Sequence, residues 1–213
     1  MGFHKILFAF NLSLCICFAW GSPPLTIDFL LVTQAASPYF TVTNTNNTTQ
    51  IFVKTYSGQN ILLWQHTPIA DADTYMARFR GQKKGDLIDF SYEDDSKKNF
   101  PIYTIVIDLK SNQVTKPSYT FSDFNSQGIG AYTDPHSPYT LLVTPIFSPC
   151  LHPKLIPLDQ SFLNRKGLYG FNATFNNDND LEIDYIDQGG VISEDIVKIS
   201  TPEILKECVG TQP

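Results

Sequence analysis

The sequence has few of the residues and none of the motifs from which common catalytic and metal sites are built. Its 213 residues include four cysteines, four histidines and two tryptophans. It contains no GxSxG nucleophile turn, no glycine-rich phosphate loop and no CxxC pair. The signatures of serine hydrolases, phosphate-cradling proteins and zinc modules are therefore excluded. No motif favours an enzyme over a binding protein.

Basic residues are also scarce. The chain carries 15 Lys and Arg against 21 Asp and Glu, a formal net charge of −6, and the pairs Lys83-Lys84 and Lys97-Lys98 are isolated. An acidic chain without a basic run is repelled by phosphate backbones and by anionic lipid. We expect no nucleic-acid partner.

The first 21 residues have the three-part layout of a secretory signal peptide. A short basic start containing Lys5 precedes an apolar run, and Ala19 and Gly21 place small residues before a cut at Ser22. The apolar run is shorter than the roughly 20 residues of a membrane helix. We predict cleavage, no membrane span afterwards, and a secreted or periplasmic product. An uncleaved anchor and a lipoprotein are the alternatives.

Two cysteines, Cys150 and Cys208, remain after the predicted cleavage. In an oxidising compartment two cysteines favour one disulfide. Closing this loop would stabilise the fold by about 4 kcal/mol on the chain-entropy model. A reactive or metal-binding thiol is the alternative. The sequons at Asn46-Asn47-Thr48-Thr49 and Asn172-Ala173-Thr174 would matter only in a eukaryotic host.

Short alternating apolar segments separated by turn residues dominate residues 22–213. Such spacing predicts an all-β fold, an antiparallel β-sandwich with one short helix near the C-terminus. Thr201 as N-cap, Pro202 at the first helical position and Gly210 after the end delimit that helix.

Three expectations concern the middle of the chain. The apolar segment 102–109 predicts a central strand. Pro145 predicts that the strand 139–147 lies at a sheet edge. The polar, aromatic segment 111–137 predicts a long loop, or a subdivision between two packed lobes.

The segment from Leu25 to Tyr56 resembles the opening strands of bacterial immunoglobulin-like sandwiches, with PapD-like periplasmic chaperones nearest. Phe40-Thr41-Val42-Thr43-Asn44-Thr45-Asn46 leads into Gln50-Ile51-Phe52-Val53-Lys54. The resemblance implies an immunoglobulin-like fold. The chaperones anchor a client carboxylate with an Arg and a Lys, but the first strand has no Arg, so only the fold is carried over.

One acidic segment has the spacing of a calcium loop. The candidate ligands Asp178, Asp180, Glu182 and Asp184 alternate along the chain as a hard cation requires. Leu181, however, stands where an EF-hand turn needs Gly. The simpler interpretation is a turn followed by a strand with Leu181 facing inward. No other cofactor is indicated.

Aromatic residues make up 13% of the chain, and tyrosine offers contact area with a hydrogen-bonding tip. We therefore predict a non-enzymatic binding or structural module that recognises a protein or glycan, with Tyr119, Tyr132 and Tyr139 as candidate surface residues. The alternatives are a secreted hydrolase using paired carboxylates, such as those in Asp71–Asp73 or Glu93–Asp95, and a PapD-like assembly chaperone.

We expect the native product to begin at Ser22, because the leader is removed during export, and to contain no free thiol. N-terminal sequencing and mass measurement with and without reduction test this expectation. A product that begins at Met1 with both late cysteines free would contradict it.

Overall fold

The computed structural model describes residues 28–45, 48–67, 77–94, 102–117, 121–134, 136–163 and 168–209. The predicted leader lies outside these ranges. Within them, neither α-helix combines the length and the hydropathy that a membrane crossing requires.

The described residues are mostly strand. The first eight strands are β1 (Asp28–Val32), β2 (Phe40–Thr45), β3 (Thr48–Lys54), β4 (Asn60–His66), β5 (Ala77–Lys84), β6 (Leu87–Asp94), β7 (Ile102–Asp108) and β8 (Val114–Thr115). The next are β9 (Phe121–Phe124), β10 (Ile129–Asp134), β11 (Ser137–Pro145), β12 (Lys154–Pro157), β13 (Leu168–Phe175), β14 (Leu181–Asp187) and β15 (Gly190–Val197). The helices are α1 (Gln160–Leu163) and α2 (Thr201–Val209). The all-β prediction is confirmed.

The strands form four sheets. Their orders are β1-β5-β6-β7-β8, β12-β11-β10-β9, β13-β14-β15 and β2-β3-β4. The pairing is antiparallel in the last three, and β1 pairs with β5 in parallel. Strands β2 and β3 pair as an antiparallel hairpin, with Phe40 opposite Val53.

The chain folds into two compact units that are interleaved along the sequence. The first contains the described residues of 1–54, 60–82 and 90–103, and the second contains those of 55–59, 83–89 and 104–213. Strands β5, β6 and β7 contribute residues to both units. The segment 111–137 lies within the second unit.

Aromatic rings form the core of the first unit. Phe79 is fully buried, with its ring centroid 5.0 Å from Trp64 and 5.5 Å from Phe90. Phe40 adds a third contact, 5.9 Å from Phe90. The contact of Phe79 with Trp64 is edge-on and its contact with Phe90 is stacked, while Phe40 is tilted against Phe90. Ring quadrupoles favour edge-on and offset-stacked arrangements. These four aromatic side chains therefore pack against one another.

The second unit contains a β-sandwich. One inner face comes from β10, β11 and β12, and the opposing face comes from β13 and β14. The buried side chains that they share include Ile129, Leu141, Val143, Ala173, Leu181, Ile183 and Tyr185. Along β14 alternate residues, Leu181, Ile183 and Tyr185, are buried, as a sheet with one covered face requires. The antiparallel sandwich prediction is confirmed in this unit.

Two expectations for the middle of the chain are wrong. The segment 111–137 is not one long loop, because it holds β8, β9 and β10. Strand β11 is not at an edge, because it pairs with both β10 and β12. Pro145 is tolerated there because it is the last residue of the strand, where a missing N–H costs little.

The C-terminal helix and the disulfide agree with their predictions. Helix α2 begins at Thr201 and ends at Val209, and Ile204 in its first turn is buried in the sandwich core. The Thr201 hydroxyl, predicted to cap the helix, is buried and has no hydrogen-bond partner among the described residues. The Cα atoms of Cys150 and Cys208 are 5.0 Å apart, and the two residues form a disulfide across 58 positions of sequence.

Tyr132 on β10 packs against its own strand. A Cβ built on Gly130 would lie 2.9 Å from both Cε2 and the hydroxyl oxygen of Tyr132, so only glycine leaves room for this ring. The ring also meets Phe121 edge-on, with centroids 5.3 Å apart. Burial raises the pKa of Tyr132 to about 12. The phenol is therefore part of the packing.

This pKa predicts alkaline destabilisation. The folded state keeps the Tyr132 proton up to pH about 12, whereas an unfolded tyrosine releases it near pH 10. Stability must fall as the pH rises between these values, by up to about 2 kcal/mol from this residue. Urea denaturation of the native chain and of Tyr132→Phe at pH 9 to 12 measures it. The variant should lose less stability, and parallel losses would contradict the assignment.

Candidate functional site

Of the three candidate tyrosines, the two that the structure describes do not lie together on one surface. Tyr119 lies outside the described residues, and Tyr132 packs over Gly130. Tyr139 is 39% exposed and lies near the β10–β11 turn, where Asp134 pairs with Ser137. The described tyrosines of this set are thus separated along the sheet.

The acidic segment forms a hairpin turn organised by Asn176. Its Oδ1 accepts hydrogen bonds from the backbone N–H groups of Asp178 and Asp180, at 2.9 and 3.0 Å. Its Nδ2 donates to Glu182 Oε1 at 2.9 Å, and the N–H of Ile199 donates to Asp180 Oδ1 at 3.3 Å. Oxygens of two candidate calcium ligands are therefore bonded within the protein.

Strand β14 follows the simpler interpretation of this segment. Leu181, Ile183 and Tyr185 are buried, while Glu182 and Asp184 on the other face are partly exposed. In the part of the chain that the structure describes, no three His, Cys, Asp or Glu side chains are grouped to hold a metal ion. The calcium site stays a prediction without a ligand cluster in the described residues.

A different surface forms where turns of the second unit meet. The first contact joins turn 55–59 to turn 109–113. The N–H of Tyr56 donates to the carbonyl of Leu109 at 3.0 Å, and Ser57 Oγ donates to Asn112 Oδ1 at 3.1 Å. Gly58 and Asn112 both have positive φ, which the tight turns require.

Asp108 holds turn 109–113 from its base. Its carboxylate accepts the N–H groups of Lys110 and Ser111 at 2.8 and 3.2 Å. Burial is the largest single effect on the pKa of Asp108, and alone it would raise that pKa. The two backbone hydrogen bonds, a further hydrogen bond from the Ser111 side chain and the positive charge of Lys110 outweigh burial, so that the pKa is lowered. The carboxylate therefore stays ionised and bonded to the turn.

The β5–β6 turn at Gly85 and Asp86 joins the same group. Tyr56 donates its hydroxyl to Asp86 Oδ1 at 3.2 Å, and the N–H of Leu109 donates to the Asp86 carbonyl at 2.9 Å. A Cβ on Gly85 would lie 3.1 Å from Cβ and the carbonyl oxygen of Ser126. Gly85 thus allows turn 125–128 to approach closely.

Ser126 connects turn 125–128 to turn 176–180. Its N–H and its hydroxyl both donate to Asn179 Oδ1, at 3.3 and 3.0 Å. Asn179 has a φ of 65°, a conformation that asparagine adopts more readily than most residues. Five turns from distant parts of the sequence are therefore linked by hydrogen bonds and one close approach.

We call these five turns, residues 55–59, 85–86, 109–113, 125–128 and 176–180, the five-turn surface. The ring of Tyr56 is 49% exposed on it. Its other exposed side chains carry hydroxyl, amide, carboxylate or amine groups, namely Ser57, Gln59, Asp86, Lys110, Ser111, Gln113, Ser126, Gln127, Asn177 and Asp178. Tyrosine, serine, glycine and asparagine are also the residues that predominate in antibody paratopes.

A partly buried ion pair joins the strand ends that precede three of the turns. Lys84 Nζ donates to Asp123 Oδ2 at 2.5 Å and to the carbonyl of Phe175 at 3.1 Å. The N–H of Phe175 donates to the same Asp123 oxygen at 2.7 Å. Each residue lies one or two positions before a turn, at Gly85, Asn125 and Asn176 respectively. The Asp123 side chain is only 4% exposed.

The disulfide lies at the same end of the sandwich. Pro145 of β11 pairs with Ile129, which directly follows turn 125–128, and Cys150 is five residues beyond Pro145. On the other sheet, Ile199 bonds to Asp180 two residues before α2, which carries Cys208. The bridge therefore holds the chain segments beside the five-turn surface.

The sequence contains local signals for three of these turns but none for their association. Gly58, the Gly85-Asp86 pair and the Asn-rich stretch 176–180 are visible turn signals. Tyr56 and Asp86 are 30 residues apart, and Ser126 and Asn179 are 53 apart, so no local pattern connects them. The sequence feature that indicates the site is an aromatic residue directly before a turn, Tyr56-Ser57-Gly58.

The residues behind the two alternative functions are incompletely described. Asp71 and Asp73 lie outside the described residues, as does Asp95, and Glu93 belongs to β6. The chaperone alternative depends on basic residues that bind a carboxylate, and one basic residue of the second unit, Lys84, forms an ion pair with Asp123.

No protein-family model, no curated protein and no solved structure matches this chain.

Loss of the Asp123 carboxylate should strongly destabilise the fold. Asp123→Ala leaves Lys84 without its partner and the Phe175 N–H without an acceptor, and breaking such a pair costs about 3 kcal/mol. Asp123→Asn keeps an oxygen for Phe175 and should lose less. Urea denaturation measures both. A loss below about 1 kcal/mol for the alanine variant would show that the pair does not stabilise the fold.

Proposed function

We propose that this chain is an exported, non-enzymatic β-sandwich module that binds a protein or a glycan through the five-turn surface. The observation that carries the proposal is the linkage of five sequence-distant turns by the hydrogen bonds Tyr56–Asp86, Ser57–Asn112 and Ser126–Asn179 and by the close approach of Gly85 to Ser126. Turns that are tied to one another lose little conformational freedom when a ligand arrives, which favours binding. Sandwich folds commonly carry recognition at one end, on their connecting loops.

Two observations support export to the periplasm or beyond. The first 21 residues have the layout of a secretory leader. Cys150 and Cys208 form a disulfide, which persists in oxidising compartments and is rare in the cytosol of mesophiles. In this proposal the disulfide stabilises a module that functions outside the reducing cytosol.

The chemistry of the surface supports binding over catalysis. Its exposed carboxylates, Asp86 and Asp178, stand on different turns, and Asp86 Oδ1 accepts the Tyr56 hydroxyl. The binding module is the function that the described residues support best.

Substitutions that place a positive charge on the surface test this function. Gln127→Arg and Asp178→Arg change two exposed residues on different turns, and Tyr139→Arg is the matched control at the other end of β11. The native chain is immobilised and exposed to cell-surface glycans and to secreted proteins of the producing organism. Both turn variants should lose at least about tenfold in affinity for the captured ligand, while the control keeps it.

Two results would contradict the proposal. Binding that survives both turn variants and is lost in the Tyr139→Arg control would place the site elsewhere. Chemical turnover of the captured ligand would favour the hydrolase.

A further inference from the structure

The exposed chemistry of the five-turn surface selects one class of ligand. Its one large apolar element is the half-exposed ring of Tyr56. The exposed aliphatic side chains of the described residues lie outside the five turns, with Val114 directly after one of them. The buried centre of a protein–protein interface is an apolar cluster from which charged residues are depleted, whereas polar groups surround a single ring here.

A sugar ring matches this arrangement. One face of a pyranose carries C–H bonds whose hydrogens are slightly positive, and an aromatic ring presents a negative face to them. The edge of the sugar carries hydroxyl groups, which both donate and accept hydrogen bonds. Around Tyr56, the amide, hydroxyl and carboxylate groups of Gln59, Asn112, Ser57 and Asp86 supply both donors and acceptors.

The surface also positions its groups before a ligand arrives. The Tyr56 hydroxyl is bonded to Asp86 Oδ1 at 3.2 Å, which restrains the ring. Asn112 Oδ1 is bonded to Ser57 Oγ at 3.1 Å. An uncharged ligand with many hydroxyl groups gains most from such restraint, because each side chain that must be ordered on binding costs binding free energy.

The charges on the five-turn surface favour uncharged sugars over anionic ones. Asp86 and Asp178 are exposed carboxylates on this surface, and Lys110 is its exposed cation. The Lys83 ammonium is bonded to the Gly85 carbonyl at 2.5 Å, beside Asp86. With a net charge of −6 on the whole chain, sulfated, sialylated or uronic-acid sugars meet a repulsive field.

We infer that the five-turn surface binds a neutral oligosaccharide, with the Tyr56 ring stacked on one sugar face and with Asp86, Ser57 and Asn112 bonded to its hydroxyl groups. This inference rests on the proposed function and names its ligand class. Tyr56 is then the residue that determines specificity.

The test compares three tyrosine variants on arrays of neutral and anionic oligosaccharides, followed by titration calorimetry with the best neutral sugar. Tyr56→Ala removes the ring and should weaken binding by at least about tenfold. Tyr56→Phe keeps the ring and should lose only a few-fold. Tyr139→Ala removes a tyrosine of similar exposure at the other end of β11 and should bind as the native chain does.

The other outcomes contradict either the neutral-sugar inference alone or the proposed function as well. Preference for sulfated or sialylated sugars, or equal binding by Tyr56→Ala, would overturn the neutral-sugar inference. Capture of a protein, with no sugar bound, that Gln127→Arg abolishes would overturn the inference and leave the proposed function standing. Absence of any ligand that depends on the five-turn surface would overturn both. Circular dichroism of Tyr56→Ala confirms that the variant folds.

Discussion

The carboxylate of Asp123 lies inside the second unit and accepts hydrogen bonds from Lys84 Nζ and from the backbone N–H of Phe175. A buried charge is costly unless it is paired and hydrogen-bonded, and both conditions are met here. The three residues come from β5, β9 and β13. Their side-chain and backbone bonds therefore fix the ends of three strands at one place, and the turns that follow these strands start from fixed positions.

Under the proposed function, this arrangement separates the residues that stabilise the fold from the residues that bind the ligand. The sandwich core, the ion pair and the disulfide hold the scaffold, and none of them needs the exposed side chains of the turns. The turns in turn hold one another through short polar contacts such as Ser126–Asn179. Residues such as Gln127 and Asp178 can change without loss of the fold, which is how loop surfaces on rigid scaffolds acquire different ligands.

Local chemistry in the sequence accounts for much of the fold. The Asn-rich turn predicts the β2–β3 hairpin, and Pro202 with Gly210 predicts α2, because turn residues and helix ends act within a few positions. The two remaining cysteines predict their own pairing. Pro145 misled because the sequence shows that a ladder hydrogen bond is missing but does not show that the strand ends there.

The candidate site was less predictable because it depends on long-range contacts. Strands β9 and β10 have few β-branched residues, so the segment 111–137 has the composition of a loop, although Phe124, Ile129 and Ala131 are fully buried. Lys84 and Asp123 are 39 positions apart, and a single lysine or aspartate in a sequence is ordinarily a solvated charge. Tyr132 drew attention as a surface residue because the sequence does not reveal that its ring covers Gly130.

The Cys150–Cys208 disulfide closes a covalent ring of residues 150 to 208, which includes β12 through β15 and most of α2. The β14–β15 connection at Gln188 and Gly189 is exposed and falls inside this ring. A protease that nicks the backbone there leaves both fragments joined through sulfur, and sheet pairing continues to hold them in register. A molecule with this disulfide tolerates such cleavage without separating into fragments, so long as its surroundings contain no reductant.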